Sequence, residues 1–476
     1  METRERIVSD EEEEQLKAKM KQRGSYISKE EQNLQNGVYI HLVKRERIKA
    51  TELIANFLKK NEVIYTTRSD ENPEMWIYKG GIYKPEGRTY IRQFVRKIIG
   101  EAFSNQLAND ILSKMEVDTF IDQKDFFVEE KPHLICIHNG IYDLNQDKLI
   151  EHDPEYRFFN KLNVEFIRGL QCPRIKKFLK GVLSNEKDIT AIQEIFGWLL
   201  YRDYVPEKGI MFFGAGRNGK GKTIELMKYF LGIENCTNIS LEALEKDHFS
   251  LGEFFGKLAN LSADLSKCAL KNTGHFKQLT GHDMISAARK FKNRISFTNY
   301  AKMIFAANEL PTTFDVTTAF FNRWILFSFP FTFLDKNEFE QRKGEKNIKL
   351  ADKGIIEKIT TKSELNGLFN FALDGLKRLL EKKEFSTTTT TEQTRESWLR
   401  KSDSFQAFCL DCVRDNYSSE ILKSELRREY AEYCRNHKLK PSGDKAIKRI
   451  LTETYGAGEK KSGNELFWVG ITLKLG

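Results

Sequence analysis

A chain of 476 residues with 40% hydrophobic and 30% charged residues has room for about two to four domains with filled cores. The formal charge of +9 is compatible with a nucleic-acid partner but does not demonstrate one. No apolar run approaches the length of a membrane span, the charged start excludes a signal peptide, and seven scattered cysteines indicate a reducing interior. These features predict a cytoplasmic protein without a membrane partner.

The chain starts with a charged arm, residues 1–50, in which a run of glutamates precedes several lysines. Residues 51–200 then predict a mostly helical, α+β N-terminal domain. Apolar spacing predicts its helices, and glycine-containing turns predict its hairpins. The expected elements are helices over 48–58 and 90–99 and hairpins turning at Gly80-Gly81 and Asn139-Gly140.

The most informative stretch is residues 209–231, where an apolar, strand-like run leads through a glycine-rich turn into helical spacing. This is the context of a phosphate-binding P-loop. Glycines let backbone N–H groups close around phosphate oxygens, a helix N-terminus adds a positive dipole end, and a lysine neutralises the outer phosphates. The nucleotide-binding residues expected here are Gly214, Ala215, Gly216, Arg217, Asn218, Gly219, Lys220, Gly221, Lys222 and Thr223.

Two registers compete for the phosphate lysine. The pattern G-x-x-x-x-G-K-[ST] fits residues 216–223, with Lys222 as the lysine and Thr223 as the Mg²⁺ hydroxyl. The shifted register runs from Gly214 to Gly221 and uses Lys220. We favour Lys220, because the first glycine then directly follows the strand. Gly221 then occupies the usual hydroxyl position, and Thr223 would supply the Mg²⁺ ligand from the first helical turn.

Three later apolar runs adjoin residues suited to ATP hydrolysis. Residues 258–263 lead to Asp264. This is the arrangement in which a buried strand delivers an acid to the Mg²⁺ beside the phosphates. Residues 302–307 end at Asn308, a polar strand tip of the kind that positions the attacking water in ring ATPases. Arg323 precedes a further strand and suits an arginine finger that reaches a neighbouring subunit's ATP; a surface ion pair is the alternative.

A basic stretch with interleaved aromatic side chains covers residues 275–297. Such a stretch suits the backbone of single-stranded DNA, and a solvated basic face is the equal alternative. The residues expected to contact DNA here are Lys277, Arg289, Lys290 and Lys292.

The motifs follow one another in a specific order: G-x-G-x-N-G-K-G, the run before Asp264, L-T-G-H-D with the basic stretch, A-A-N-E-L-P, and N-R-W. Over roughly residues 130–335 this order resembles the superfamily-three helicases of phages, plasmids and large DNA viruses. It is most similar to their primase-fused branch, including the poxvirus primase–helicase type. H-N-G-I-Y-D-L and residues 151–166 resemble the helical domain that precedes such helicases.

The resemblance implies a role for each site residue. Phosphate would be bound by Lys220, Mg²⁺ by Asp264, and the sensor position would be taken by Asn308. Arg323 would be the finger in trans, and Lys290 and Lys292 would lie on a pore hairpin that grips single-stranded DNA. The sequence departs from the family pattern at Gly221 and in having no second acid beside Asp264.

The remainder of the chain predicts a helical packing element over residues 341–385, a threonine-rich linker over 386–397 and a small domain over 398–476. Three helices and a terminal hairpin over 466–473 are expected in that domain, and the resemblance implies a winged helix. Its third helix would enter a DNA groove through Lys445, Lys448 and Arg449. A protein-docking role is the alternative.

The sequence therefore predicts an α/β protein with a P-loop, AAA+-like ATPase core over residues 201–340, a mostly helical N-terminal domain and a C-terminal winged helix. We expect a ring of six identical chains that depends on ATP and Mg²⁺. It would bind single-stranded and forked DNA and unwind DNA during replication of a mobile element such as a plasmid or virus. It would work in a prokaryotic host cell or at a viral replication site, and a separate primase or polymerase is a further candidate partner. Three alternatives are an ATP-gated origin-binding initiator, a duplex DNA translocase, and an assembly factor with a degenerate P-loop.

Overall fold

The structure is a computed structural model, which describes residues 27–67, 72–127, 131–247, 249–263, 265, 270–290, 292–313, 315–387 and 389–474. The chain divides into two compact units, Met1–Val128 with Pro154–Arg157 and Glu129–Asp153 with Phe158–Gly476. Each unit is described by itself. Within the described ranges, every helix is too short or too polar to cross a membrane.

The first unit packs helices against a four-stranded sheet of order β3–β2–β1–β4. The hairpin predicted at Gly80-Gly81 is confirmed, because β2 and β3 pair with Tyr78 opposite Tyr83. The elements are helices α1 Lys29–Val43, α2 Arg47–Asn61, α3 Gly87–Ile99, α4 Asn105–Asp118 and α5 Gln123–Phe126, and strands β1 Ile64–Thr67, β2 Glu74–Lys79, β3 Ile82–Lys84 and β4 Phe120–Ile121.

Two sequence-based expectations for this unit differ from the structure. Leu34 and Val38 belong to its hydrophobic core, so folded structure begins inside the segment predicted as a charged arm. Residues 1–26 of that arm lie outside the described residues. In α2, Ile54 and Leu58 are buried as predicted, whereas Ile48 is 78% exposed because it lies in the first turn, beyond the end of the buried face.

The second unit begins with a three-stranded antiparallel sheet formed by β5 Leu134–Ile137, β6 Gly140–Asp143 and β7 Lys148–Ile150. The hairpin predicted at Asn139-Gly140 is confirmed. The resemblance placed H-N-G-I-Y-D-L and residues 151–166 in a helical domain, and the structure differs from that expectation in secondary structure, since neither segment contains an α-helix. These segments form strand, turn and irregular structure with one 3₁₀ turn, because apolar strands flanking an Asn-Gly turn favour a hairpin.

A five-stranded, all-parallel sheet of order β14–β8–β13–β10–β9 forms the centre of the second unit. Strands β8, β10 and β13 are buried along their whole length, as expected for a sheet covered on both faces. The strands are β8 Gly209–Phe213, β9 Cys236–Thr237, β10 Ala259–Ser262, β13 Lys302–Ala307 and β14 Trp324–Ser328.

Helices and two smaller strand pairs surround this sheet. The antiparallel hairpin of β11 Met284–Arg289 and β12 Lys292–Thr298 contains the second part of the predicted basic stretch, and β15 Thr332–Leu334 pairs with β16 Ile348–Leu350. The helices are α6 Pro173–Val182, α7 Glu186–Trp198, α8 Lys220–Leu231, α9 Leu241–Lys246, α10 Gly274–Thr280, α11 Thr318–Asn322, α12 Lys336–Gln341, α13 Ile355–Ile359 and α14 Lys362–Lys382.

The C-terminal part of the second unit contains helices and a three-stranded antiparallel sheet of order β17–β19–β18. The terminal hairpin is longer than predicted: residues 466–473 lie within one strand, β19, and the turn falls at Gly463. The elements are α15 Thr391–Ser402, α16 Ser404–Cys412, β17 Val413–Leu422, α17 Lys423–His437, α18 Asp444–Arg449, β18 Gly458–Ser462 and β19 Glu465–Leu473.

The predicted linker over 386–397 is half helical, because α15 begins at Thr391. Trp398 anchors this helix to the parallel-sheet region. It is fully buried, its Nε1 donates to the Pro311 carbonyl at 2.9 Å, and its ring lies 5.1 Å from that of Trp324. The large apolar ring therefore makes α15 part of the packed core, which composition alone could not indicate.

Candidate nucleotide-binding site

The carboxyl ends of three neighbouring strands meet at the site. The last residues of these strands pair with one another: Phe213 of β8 lies between Ala307 of β13 and Ser328 of β14. Gly214 and Asn308 therefore follow at the same carboxyl ends of the sheet. Ligands of open parallel sheets bind outside the carboxyl ends of the strands, where the order of connection reverses. Strand β8 is such a point, because its neighbours β13 and β14 both come later in the chain.

Lys220 starts α8, and its ammonium group turns back over the loop of residues 214–219. Its Nζ lies 2.5 Å from the Gly214 carbonyl oxygen and 3.1 Å from that of Ala215. It also lies 3.1 Å from Asn218 Oδ1 and 3.3 Å from Asn308 Oδ1. These four acceptors are neutral oxygens, so phosphate oxygens would make stronger, charge-assisted hydrogen bonds with the same ammonium group.

Lys222 lies in a different environment. Its side chain is 51% exposed and forms an ion pair with Glu225 at 2.9 Å, one turn along the helix surface. Thr223 is fully buried, and its hydroxyl donates to the Gly219 carbonyl at 3.1 Å. The structure thus brings Lys220 into the loop, leaves Lys222 on the helix surface and gives the Thr223 hydroxyl a backbone partner.

Two glycines allow the loop to fold tightly. Gly219 has φ +93°, and a Cβ there would lie 2.6 Å from Val182 Cγ1 of α6. Gly214 has φ +147°, and a Cβ there would lie 2.6 Å from the Phe329 carbonyl oxygen. A side chain at either position would be strained and would overlap its neighbours. Gly216 and Gly221 differ, since a Cβ at either would meet no atom of the described residues within 4 Å.

Asn218 and Arg217 fasten the loop to its surroundings. The buried Asn218 donates to the Phe329 carbonyl at 3.3 Å and accepts from the Lys220 backbone N–H at 3.3 Å. Arg217 forms a 2.5 Å ion pair with Glu338 of α12. Asn218 and Arg217 were predicted to touch nucleotide, and in this structure they bind the loop to the protein.

The predicted Mg²⁺ ligand Asp264 lies outside the described residues. The preceding strand β10 ends at Ser262 and is separated from β8 by one strand, β13. Within the described ranges, no cluster of three or more His, Cys, Asp or Glu is arranged to hold a metal ion. Mg²⁺ at a nucleotide site needs only one or two protein ligands, since phosphates and waters supply the others.

Arg323 lies at the amino-terminal ends of the strands, whereas the loop lies at their carboxyl ends. Its backbone carbonyl accepts from the N–H of Gly209, the first residue of β8, at 2.6 Å. The loop follows the last residue of that five-residue strand, roughly 16 Å away at about 3.3 Å per residue. The guanidinium donates to the Ala319 carbonyl at 3.1 Å and lies 3.5 Å from Glu207. The structure therefore does not bring Arg323 to the loop of its own chain.

The predicted DNA-binding residues divide into three groups. Arg289 and Lys290 lie at the turn of the β11–β12 hairpin, and Lys292 starts β12 opposite Arg289. Lys277 lies on α10 and forms a 3.0 Å ion pair with Asp315. The third group, on the short helix α18, comprises Lys445, Lys448 and Arg449, and there Lys448 pairs with Glu459 at 3.3 Å.

A cavity of about 630 Å³ adjoins the loop and was not foreseen from the sequence. Loop residues Arg217 and Gly219 line it, together with α6 and residues 350–359. Its apolar lining includes Phe178, Val182, Phe333, Leu350, Ile355 and Ile359, and its basic lining includes Arg174, Lys177, Lys222 and Lys358. The helical spacing of α6 predicted a buried face, but no sequence signal assigned that face to this cavity.

A second cavity, of about 670 Å³, adjoins the carboxyl ends of β8, β13 and β14 and is also lined by the C-terminal part of the chain. Gly214, Ala215 and Asn308 line it on one side. Lys401, at the end of α15, lines it as well, with its Nζ 4.3 Å from the centre of the Phe213 ring. Burial lowers the pKa of Lys401. Sequence analysis missed this residue, because it assigned Lys401 to a separate domain.

Two families match parts of the chain. Residues 50–184 match the family described as "D5 N terminal like", and residues 212–323 match a "Family of unknown function (DUF5906)". The second match covers the loop, Asn308 and Arg323. Neither match extends over half of the chain.

Curated relatives come from viruses. The chain is 24% identical over 360 residues to "Putative helicase L207/L206" of Acanthamoeba polyphaga mimivirus, covering 72% of this chain and 37% of that protein. It is 23% identical to "Putative helicase V13" of Sputnik virophage (55% and 34% covered) and 26% identical to "Putative helicase 121R" of Invertebrate iridescent virus 3 (54% and 29% covered). The chain thus spans about a third of the length of these relatives.

Among solved structures, the apo form of the NrS-1 C terminal region matches 88% of this chain and 98% of that one, at 12% identity and a TM-score of 0.43.

Proposed function

We propose that this protein is an ATP-dependent DNA helicase of the superfamily-three type that acts as a ring of identical subunits, with six expected, during replication of a virus or plasmid. The observation that carries the proposal is the position of Lys220. Its ammonium group is held between the loop carbonyls and Asn308, where the outer phosphates of a nucleotide would lie. The names of the viral relatives support the same function.

Lys220 is the phosphate lysine in this proposal. The loop that surrounds it is closed by Gly214 and Gly219, whose conformations exclude a side chain. Phosphate oxygens would take over the hydrogen bonds that Lys220 now gives to neutral carbonyl and amide oxygens. The N-terminus of α8 adds its dipole to the same position. Lys222 has no part in phosphate binding, since its ammonium pairs with Glu225 on the helix surface.

The 630 Å³ cavity would hold the base and ribose. It lies directly beside Gly219, and its apolar lining with a few basic side chains is typical of a small-molecule site. Phe178 and Phe333 line the cavity and would supply aromatic contacts to a purine, and Lys177 would supply charge near the ribose and phosphates. Lys358 is paired with Asp352, a further lining residue, at 2.7 Å. The cavity is of a size that accommodates a nucleoside.

Hydrolysis would use residues at the strand ends. Asn308 contacts Lys220 and is placed to orient water at the terminal phosphate. Bound Mg²⁺ would neutralise charge on the phosphates, and we assign Asp264 as its protein ligand because that acid follows β10. Thr223 is a weaker candidate for this role, because its buried hydroxyl already donates to Gly219.

Arg323 would act on the ATP of a neighbouring subunit. It lies at the far end of β8 from its own loop, so only an adjacent subunit of a ring can bring it to a terminal phosphate. Its contact with Glu207, a half-exposed carboxylate, would be exchanged for that phosphate. The DNA strand would be gripped by the β11–β12 hairpin, where Arg289, Lys290 and Lys292 gather at the turn.

The experiment that tests the proposal is ATP-driven unwinding of forked DNA. We expect activity in the wild type, its loss in Lys220→Ala and Arg323→Ala, and its retention in Lys222→Ala, the matched control from the same helix. Absence of ATP-dependent unwinding by the wild type would reject the helicase. Loss of activity in Lys222→Ala, with Lys220→Ala active, would reject the register.

Mixing the two inactive variants tests the site between subunits. Arg323→Ala supplies an intact loop and Lys220→Ala supplies an intact arginine. About a quarter of the interfaces in a randomly mixed ring would then carry a complete site. We expect ATPase activity to reappear in the mixture, and a mixture as inactive as its components would reject the finger in trans.

A further inference from the structure

The C-terminal helix α15 brings a second lysine to the end of strand β8. Lys401 Nζ lies over the ring of Phe213, the last residue of the strand, at 4.3 Å. The next residue is Gly214, whose carbonyl oxygen accepts from Lys220 Nζ. Adjacent residues are about 3.8 Å apart along the chain. Two ammonium groups, one from the core and one from α15, therefore approach the same end of β8.

Lys401 is not neutralised by a carboxylate. Its neighbour Arg400 forms ion pairs with Glu396 at 2.7 Å and Asp411 at 2.5 Å. Among the residues that the structure describes, no Asp or Glu forms an ion pair with Lys401. Arg400 thus has two carboxylate partners, and Lys401, the next residue of the same helix, has none among the described residues. We infer that Arg400 stabilises the C-terminal fold and that Lys401 remains available for an anion.

The cavity at Lys401 is suited to a negatively charged group. Four basic residues line it, Arg400, Lys401, Lys438 and Lys440, and two acidic ones, Glu309 and Asp403. Asp403 is engaged as the cap of α16, accepting the N–H groups of Phe405 and Gln406 at 2.8 and 3.2 Å. The same cavity is lined by Gly214, Ala215 and Asn308 of the proposed nucleotide site.

We propose that Lys401 binds the terminal phosphate of a nucleoside triphosphate held by its own chain, and so couples helix α15 to the state of the nucleotide. This inference rests on the proposed function. The buried Phe213 ring offers Lys401 only the negative face of its quadrupole, whereas a phosphate oxygen carries charge and would accept a charge-assisted hydrogen bond. Exchange of the Phe213 ring for a phosphate oxygen is therefore favourable.

The helix carries this contact into the C-terminal part of the chain. Trp398, three residues before Lys401, fixes α15 to Pro311 and to the ring of Trp324. Ser402 ends α15, and Asp403 caps the N-terminus of α16. A nucleotide with a terminal phosphate would thus order the junction between α15 and α16, whereas a diphosphate would leave Lys401 on Phe213.

The test compares a non-hydrolysable ATP analogue with ADP in direct binding titrations of the full chain. Lys401→Met keeps the stem that packs on Phe213 and removes the charge, and Lys461→Met, on the exposed strand β18, is the control. We expect Lys401→Met to weaken the analogue about 10-fold or more and to change the Kd of ADP less than about 2-fold. Lys401→Arg should restore most of the affinity.

A second measurement separates this role from a structural one. Hydrogen exchange of Thr391–Ser402 should slow when the analogue binds the wild type, and should not slow in Lys401→Met. Equal weakening of analogue and ADP, or no weakening of either, would overturn the role of Lys401 while leaving the nucleotide site intact. A wild type that binds neither nucleotide would overturn both this inference and the proposed function.

Discussion

Replacing Gly219 by alanine should damage the loop of residues 214–219, the proposed nucleotide loop, whereas the same change at Gly216 should not. A Cβ at φ +93° costs about 1–2 kcal/mol for an L-residue, and Gly219 has that φ. The new Cβ would also lie 2.6 Å from Val182 Cγ1, and overpacking of this kind typically costs about 1–3 kcal/mol. The combined penalty is therefore about 2–5 kcal/mol. At Gly216 neither the conformational cost nor the overpacking cost applies, because its φ is not left-handed and a Cβ there would meet no atom of the described residues within 4 Å.

The penalty can appear in two measurable quantities. If the loop keeps its shape, the free energy of unfolding falls, and Tm falls by roughly 3–7 °C in a unit of this size. If the loop relaxes instead, the Nζ of Lys220 moves from its acceptors and the Kd for a fluorescent ATP analogue rises. Differential scanning fluorimetry and a binding titration together cover both cases. Val182→Ala in the Gly219→Ala background should recover the part of the loss that arises from the contact.

Equal behaviour of Gly219→Ala and Gly216→Ala in both assays would refute the reasoning. It would mean that the loop does not need a left-handed residue at position 219, and that the tight approach of α6 to the loop carries no energetic cost. Gly216→Ala is a matched control because it lies in the same loop, changes the same atoms and leaves the contacts around Lys220 in place.

Three further predictions follow from other contacts. Gly221→Ser should lower the Mg²⁺ concentration needed for half-maximal ATPase, because a Cβ there is unobstructed and the hydroxyl would follow Lys220 directly; Gly221→Ala should not, and equal effects would contradict the register. Asp315→Asn should lower Tm at pH 7. Burial opposes ionisation of this carboxyl, but hydrogen bonds from Thr273, Thr317 and Lys277 outweigh it and lower its pKa to about 2; since the folded pKa lies below the ordinary value of about 4, the Tm gap should be full above pH 4 and shrink as pH falls towards 2, and a gap independent of pH would contradict this. Trp398→Ala should cost about 3–5 kcal/mol in urea unfolding, since it empties a fully buried site, whereas Trp398→Phe should lose far less; equal losses would assign the effect to the hydrogen bond with Pro311.

The outlines of the loop of residues 214–219 could be predicted from the chain itself. An apolar run, a glycine-rich turn and helical spacing predicted β8, the loop and α8, and the structure has all three. Such elements are predictable because their determinants are local: side-chain periodicity and the freedom of glycine act over a few residues. The hairpins at Gly80-Gly81 and Asn139-Gly140 were predictable for the same reason.

The choice between Lys220 and Lys222 illustrates the limit of such reasoning. The spacing of glycines favoured Lys220 without settling the matter, because both lysines lie in the first turn of the same helix. Only the folded chain directs the Lys220 ammonium to the carbonyls of Gly214 and Ala215 and the Lys222 ammonium to Glu225. The roles of Asp264 and of the DNA-contacting residues stay predictions.

The sequence by itself determined the strand, the turn and the helix around the loop and the order of the motifs along the chain, and it predicted a phosphate-binding role for that loop. Tertiary structure decided which of those elements meet. Strand β13 lies beside β8 and brings Asn308 to Lys220, whereas Arg323 lies at the other end of the strands. Helix α15 packs back on the sheet and brings Lys401 to Phe213. These contacts join residues about 90 to 190 positions apart. They depend on strand order and on the burial of large side chains such as Trp398, which no local pattern encodes.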